Sequence, residues 1–470
     1  MEVELLSRIQ FALTAGFHFI FPPVTIGLSL FIVLVEALAL KTGDEKYFAA
    51  SKFFLKLFAV LFAVGVATGI IMVFQFGTNW PGFSAFVGDV FGSPLAIEAV
   101  FAFFMESTFL GVALFGWNKV GRKTHWFSVF MVCLGAHLSA VWIIVANSFM
   151  QTPAGYEIVG SAGAQKAAIT DFWAMVFNPS SVDRLTHTLA ASWLTGAFFA
   201  MGVCAYFILR ERAEKVFAVP CMKIAVWFGA ASALLMLWTG HSSAAALAVQ
   251  QPEKLAAFEG HYRTQQKAPL YILGWVDEAK KSVRGIKVDG WLSKLAFGDF
   301  SREVRGLDEL PPDEFLKTLH PNASPAELAA LRPQYWPPVN FCFQTFRLMT
   351  YLGGVMGLII AAGLALSIFA KTFNPKSAAV RLYLKICLPS VLLPLAASQL
   401  GWAAAEVGRQ PWIVWRLMKT SDAVTTSAHA GEILFSIIAF GALFTAISAA
   451  GICVLFRKIR DGIPVSGSNA

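Results

Sequence analysis

The chain has 470 residues, 57% of them hydrophobic and only 14% charged, with a mean hydropathy of +0.62. A soluble domain carries about 25% charged residues, so the composition excludes an ordinary globular protein and specifies a polytopic membrane protein, an all-α helix bundle. The formal charge of +8 is concentrated in short loops between apolar runs, which marks topology rather than a nucleic-acid surface.

A crossing needs roughly 20 mostly apolar residues. Nine are predicted, near 14–40, 53–76, 94–117, 126–149, 184–209, 218–239, 341–370, 382–404 and 430–456. All are expected to be helices, because lipid offers the backbone no other partner. Every second loop is basic: Lys41, Lys46, Lys52 and Lys56, then Lys119, Arg122 and Lys123, then Arg210, Arg212 and Lys215, then Lys371, Lys376 and Arg381, then Arg457, Lys458 and Arg460. These loops are expected to face the cytoplasm, with the N-terminus outside and the C-terminus inside. No cleavable signal peptide is expected, since the first apolar run has no basic segment before it. The organisation predicted is six crossings in 1–239, an extracytoplasmic loop over 240–340 and three crossings in 341–470.

Polar residues interrupt these runs at positions that carry chemistry. His18 lies in the first span, and Glu98 and Glu106 lie in the third. In an α-helix those two carboxylates share a side, about 12 Å apart along the axis. His187 opens the fifth span in Arg184-Leu-Thr-His187. The long loop holds an amphipathic piece, Pro252-Glu-Lys254-Leu-Ala-Ala-Phe-Glu259, and a proline-rich exit at Pro333, Pro337 and Pro338. Such a loop is usually functional or disordered. The seventh span carries Arg347 and Met349, and the eighth carries Trp402 and Glu406, four apart and so on one helical face. On this threading His18, Glu98, Glu106, His187, Arg347, Met349 and Glu406 fall in one leaflet. Ionisable groups at membrane depth are costly and mark a functional site, and several at one depth suggest a shared buried metal or cofactor.

Histidine and methionine form an axial pair for six-coordinate haem. A buried Arg347 needs an anion, which is either a haem propionate or one of the glutamates. Paired carboxylates on a stripe relay protons. The six cysteines form no CxxC or CxxCH and read as buried apolar residues; no P-loop, Rossmann glycine motif or HExxH is present. His125, His137, His241, His261, His320, His429, Asp89 and Asn147 receive no role. The carboxylates alone also suit a secondary transporter, and haem alone suits a non-oxidase electron-transfer cytochrome b.

The stretches Gln10-Phe-Ala-Leu-Thr-Ala-Gly-Phe-His18, Gln75-Phe-Gly-Thr-Asn-Trp80, Pro94-Leu-Ala-Ile-Glu98, Phe103-Phe-Met-Glu106, Val145-Ala-Asn147-Ser-Phe-Met-Gln151-Thr-Pro153 and Gly408-Arg409-Gln410-Pro411-Trp412 resemble those of subunit I of bacterial cytochrome bd-type quinol oxidases. The resemblance implies a haem-bearing, multi-pass subunit of the bacterial inner membrane that oxidises ubiquinol or menaquinol and reduces O2 to water. It implies a low-spin haem b on His187 and Met349 beside Arg347. It also implies a high-spin haem b and a haem d, or a further haem b in its place, on His18 and Glu406. Arg409, from the same motif, is expected to bind cofactor, Glu98 and Glu106 to serve proton delivery or ligation, and Trp402 to lie between haems. Lys254 and Glu259 match residues implicated in quinol oxidation. The short loop resembles the cyanide-insensitive branch. Expected partners are a second polytopic subunit, sometimes a single-helix peptide, and membrane lipid. Quinol protons are expected to leave outside and those for water to enter from inside, building a gradient without a pump.

Overall fold

The computed structural model describes residues 2–161, 163–369 and 373–463; the loop residue Lys371 and the tail from Pro464 lie outside these. Among the described residues nine helical stretches are long and apolar enough to cross a membrane, one for each predicted span. The first is α1 (Glu2–His18) and α2 (Phe21–Thr42), with a break just before Pro22 and Pro23. These prolines lack the N–H that would continue the ladder and instead start a new helix. Gly43, at φ +72°, ends α2. Asp44 caps α3 (Glu45–Thr78) by accepting the Lys46 N–H at 3.0 Å. The third crossing is α4 (Pro81–Ile97), a π turn over Glu98–Phe103, and α5 (Phe104–Phe115). Pro94 removes one backbone donor within α4, just ahead of that turn.

The fourth crossing is α6 (Arg122–Gln151). A hairpin, β1 (Tyr156–Val159) with β2 (Lys166–Ile169), and α7 (Phe172–Val176) lead to α8 (Ser181–Leu209) and α9 (Lys215–Gln250). The long loop is ordered. It contains α10 (Pro252–Glu259), the antiparallel hairpin β3 (Leu270–Asp277) and β4 (Ser282–Val288), α11 (Trp291–Phe297), α12 (Asp313–Leu319) and α13 (Pro325–Leu331). The seventh crossing is α14 (Val339–Phe369), and the eighth joins α15 (Ala378–Ser390) to α16 (Leu392–Val407). A short hairpin, β5 (Trp412–Val414) and β6 (Met418–Lys419), and α17 (Thr420–Ala423) precede α18 (Ala430–Asp461).

Several crossings run further than hydropathy predicts. The first begins at Glu2 rather than 14, the third at Pro81 rather than 94, and the sixth reaches Gln250 rather than 239. At the first the helix continues through polar residues that bury against the end of the second crossing. Gln75 donates to Thr14 Oγ1 and Asn79 donates to Gln10 Oε1, each at 2.6 Å. Paired polar groups cost little to bury, but an apolar window does not count them. Toward the basic loops the interior is mainly apolar, filled by Phe31, Phe54, Phe58, Phe198 and Phe207 around the buried Glu36–His125 pair. There α2 and α8 pack backbone to backbone: a Cβ on Gly27 would stand 2.0 Å from the Ser192 carbonyl oxygen.

Candidate functional site

The end of the bundle away from the basic loops holds two histidines in matching settings. His18 Nδ1 lies 3.0 Å from Thr68 Oγ1, and His187 Nδ1 lies 3.2 Å from Thr239 Oγ1. Each threonine spends its one proton on its own helix, Thr68 on the Gly65 carbonyl at 2.9 Å and Thr239 on the Leu235 carbonyl at 2.9 Å. Each hydroxyl therefore accepts from the imidazole, which places the proton on Nδ1 and leaves Nε2 with a lone pair and no partner among the described residues. Fixing the tautomer from behind is how proteins prepare a histidine for iron. Two of the histidines left without a role differ. His137 has its nitrogens on the Cys133 carbonyl (2.7 Å) and Trp193 Nε1 (2.9 Å). His125 has its nitrogens on Glu36 (2.6 Å) and the Ala113 carbonyl (2.9 Å).

Helices α8, α9, α14 and α16 close a ring, each packing on the next. His187 lies on α8 against Gly240 of α9, and Met349 lies on α14 against Gly401 of α16. The two candidate ligands thus come from non-adjacent helices of one ring. A Cβ on Gly401 would sit 2.7 Å from Met349 Sδ, so the glycine is what gives the thioether its space. Arg347 finds its anion in the loop: its guanidinium pairs with Glu259, and its Nε is buried without a partner among the described residues. Burial pushes the Glu259 carboxyl up to about 7, against the pull of that arginine.

Glu406 is the hub of a second buried cluster. Its Oε1 accepts from Asn147 Nδ2 (3.1 Å) and Gln151 Nε2 (3.3 Å), and its Oε2 accepts from Arg409 at 2.5 Å. Arg184 donates to Asn147 from behind. Lys254 Nζ donates to Gln151 (2.7 Å) and Gln251 (3.0 Å), and burial pulls its ammonium well below the usual lysine range. Three basic side chains thus surround one carboxylate, and Arg184 Nε and Arg409 Nη1 are buried with no acceptor among the described residues. The short helix α10 serves both clusters, with Lys254 facing Glu406 and Glu259 facing Arg347. Trp402 bridges to the first span, 3.8 Å from the position of a Cβ on Gly16, while Gln399 donates to the Gly16 carbonyl at 2.7 Å.

The carboxylates of the third span both face α6. Ser139 donates to Glu98 at 2.6 Å, and a Cβ on Gly135 would meet Glu106 Cβ at 2.8 Å. The π turn starts at Glu98, so the continuous α-helix expected between them is absent. The single depth expected for the polar groups is also absent. Gly135, Ser139, Asn147 and Gln151 form a ladder on α6, from its middle to its end, spanning about 24 Å at 1.5 Å per residue. The reason is the extension of the third span: Glu106 looks shallow only if that span begins at 94.

Arg184, Asn147, Gln151, Gln251, Thr68 and Thr239 were not singled out by sequence reasoning. Asn147 and Gln151 stood in a quoted motif without a role, and polar residues four apart at a helix end were their only signal. Among the described residues no three His, Cys, Asp or Glu side chains converge as a bare ion would require. Lone ligands on separate helices, surplus buried cations and guanidinium nitrogens lacking an acceptor do fit haem, an iron already held in a macrocycle with two propionates.

Residues 6–463 match the family model for cytochrome bd terminal oxidase subunit I. The chain is 40% identical over 466 residues to the cytochrome bd ubiquinol oxidase subunit 1 of Bacillus subtilis (strain 168), covering 98% of this chain and 94% of that one. It is 34% identical over 507 residues to the cytochrome bd-II ubiquinol oxidase subunit 1 of Escherichia coli (strain K12), covering 98% and 97%. Its fold is similar to a chain in the structure of bd oxidase from Geobacillus thermodenitrificans, with a TM-score of 0.84, 29% identity, and coverage of 98% and 99%.

Proposed function

The chain belongs to the cytochrome bd terminal oxidase subunit I family, and from that premise we propose how its residues divide the work of a bacterial membrane quinol oxidase. It is a haem-bearing, multi-pass oxidoreductase of respiratory electron transport, working with a second subunit, quinol and O2. The observation that carries the assignment is the pair of threonine-fixed histidines, His18 and His187, each with Nε2 open.

His187 on α8 and Met349 on α14 would hold a low-spin haem b. His18 and Glu406 each supply one ligand to the two high-spin haems, a b-type and either a d-type or a further b-type. Glu406 Oε2, with Arg409 as its one hydrogen-bond partner among the described residues, keeps a lone pair for this. Arg409, Arg184 and Arg347 offer donors to propionates. Bound haem supplies the electron storage and the reduction of O2; the protein supplies ligand identity, burial and protons.

Quinol, ubiquinol or menaquinol, meets the loop 240–340 at α10. Glu259 accepts its proton with a carboxyl poised near neutrality, and Arg347 steadies the anion that results. Lys254 ties that helix to the Glu406 cluster. Glu98 and Glu106 hand protons along α6 toward the haems, and Trp402 fills the gap between His18 and Glu406. The loop lies outside with the N-terminus and the basic loops inside, so protons are released and taken up on opposite faces and no pump is needed. Crossings 1–239 and 341–470 bind haem, the short loop supports a reading as the cyanide-insensitive-like branch, and a single-helix peptide accompanies subunit II.

The test is a reduced-minus-oxidised absorption spectrum of the purified oxidase with and without CO. The expected result is one CO-inert low-spin haem lost in His187→Ala, alongside CO-reactive haem that persists. An unchanged spectrum in that variant refutes the assignment.

A further inference from the structure

The β3–β4 hairpin of the long loop presents an unusual outer face. Leu273 pairs with Ile286 across the strands, and Trp275 pairs with Arg284. Leu273, Ile286 and Trp275 are 52%, 61% and 64% exposed. The opposite face is already occupied: Val283 and Val276 lie against Gly260, and Gly274 lies against Phe343 of α14. A hairpin with one solvated face normally carries polar residues there. Here that face is apolar and aromatic, and it needs a cover.

Three observations identify the cover as lipid. The first is depth. Tyr351, well inside the membrane-crossing α14, donates to the carbonyl of Ile272, the residue at the β-bulge, while Gln344 donates to the Gly274 carbonyl at 2.9 Å. Strand β3 therefore lies along about 10 Å of a crossing helix and does not stand above it. The second is continuity. Phe341, Leu348 and Val355, spaced by seven on α14, are exposed on the flank beside that contact, so the outer face of the hairpin extends the exposed apolar surface of a crossing helix. The third is chemistry. Trp275 opposite Arg284 is the aromatic-plus-cation pairing that suits the boundary between acyl chains and headgroups.

We propose that the outer face of the β3–β4 hairpin is seated in the membrane leaflet beside α14, with Leu273, Trp275 and Ile286 at acyl-chain depth and Arg284 on an anionic headgroup. Glu259 and Gly260 lie directly beneath the inner face, so this seating holds α10 at the level of the lipid boundary.

The test uses the complete oxidase in nanodiscs of phosphatidylcholine and phosphatidylglycerol. Leu273→Cys, Trp275→Cys and Ile286→Cys, each in a Cys453→Ser background, carry a nitroxide label. Collision with O2 and with a water-soluble nickel chelate is read by electron paramagnetic resonance, without quinol so that O2 is not consumed. Lys317→Cys, exposed on α12, is the aqueous reference. The expected result is an O2-to-nickel accessibility ratio several-fold above the reference at all three sites. A ratio equal to the reference means that water covers the face and overturns the proposal. An immobilised label shielded from both agents means that a protein subunit covers it, and equally overturns the proposal. A position that fails to assemble leaves two others on the same face.

Discussion

Replacing Gly401 with alanine tests the haem assignment through a residue that touches no cofactor ligand chemistry itself. The new methyl would stand 2.7 Å from Met349 Sδ, whereas ordinary contact begins at 3.4 Å, so the sulfur must retreat by the difference. That exceeds the positional tolerance of about 0.5 Å for a functional constellation. Overpacking of this kind costs about 1–3 kcal/mol. Met349 is the more flexible partner, so the strain falls on its position, and an equilibrium moved by about 1–3 kcal/mol shifts by roughly 5–150-fold. The expected result in Gly401→Ala is a low-spin haem converted to a CO-reactive form with a lowered reduction potential, since methionine ligation raises it. The other haems, subunit assembly and thermal stability stay close to wild type. Gly353→Ala is the control: it lies on α14 with nothing within 4 Å of its added methyl, and its spectrum stays unchanged. Wild-type low-spin absorbance and potential in both Gly401→Ala and Met349→Leu would refute the axial pairing.

Thr239→Val removes the acceptor behind His187, and Thr68→Val does the same behind His18; each is expected to weaken retention of its own haem by about 10–100-fold, read by pigment loss during detergent dialysis. Glu259 titrates near neutrality. Because its pKa is raised, the folded state holds this proton longer than the unfolded chain, so the group's contribution to stability falls as pH rises from the ordinary carboxylate range through about 7. Proton acceptance needs the ionised form, so kcat/KM for quinol rises with pH below about 7 and then levels; a Glu259→Gln profile that keeps this limb rules the role out. His125→Ala strands Glu36, which is 0% exposed, and is expected to cost about 3–5 kcal/mol of stability. Its haem spectrum is unaltered, because that pair lies among the apolar residues near the basic loops; chemical denaturation followed by absorbance separates the two effects.

The number of crossings was legible because a bilayer imposes one length and one polarity on every span. The start of α1 and the end of α9 were not, because partnered polar residues such as Thr14 with Gln75 and Ser242 with Asp183 extend helices past the apolar run. Glu98, Glu106, Glu406 and the histidines stood out because each is expensive where it lies. Their partners did not stand out. Thr68 and Thr239 are ordinary residues in a span until a neighbouring helix brings an imidazole to them. The π turn at Glu98 has no periodic signature, and Lys254, singled out only through the family resemblance, is among the most buried side chains described. Pairing across sequence separations of 103 residues, as between Lys254 and Gln151, is a property of packing.

The ladder on α6 has an electrical meaning. Glu106, beside Gly135 at the middle of that helix, lies about halfway through the insulating layer from either aqueous side. Carrying one charge across the whole layer against 100 mV takes about 2.3 kcal/mol, so a proton loaded onto this carboxylate meets roughly half of that load. On the role proposed for Glu106, the membrane voltage opposes this loading step, and a collapsed potential speeds it.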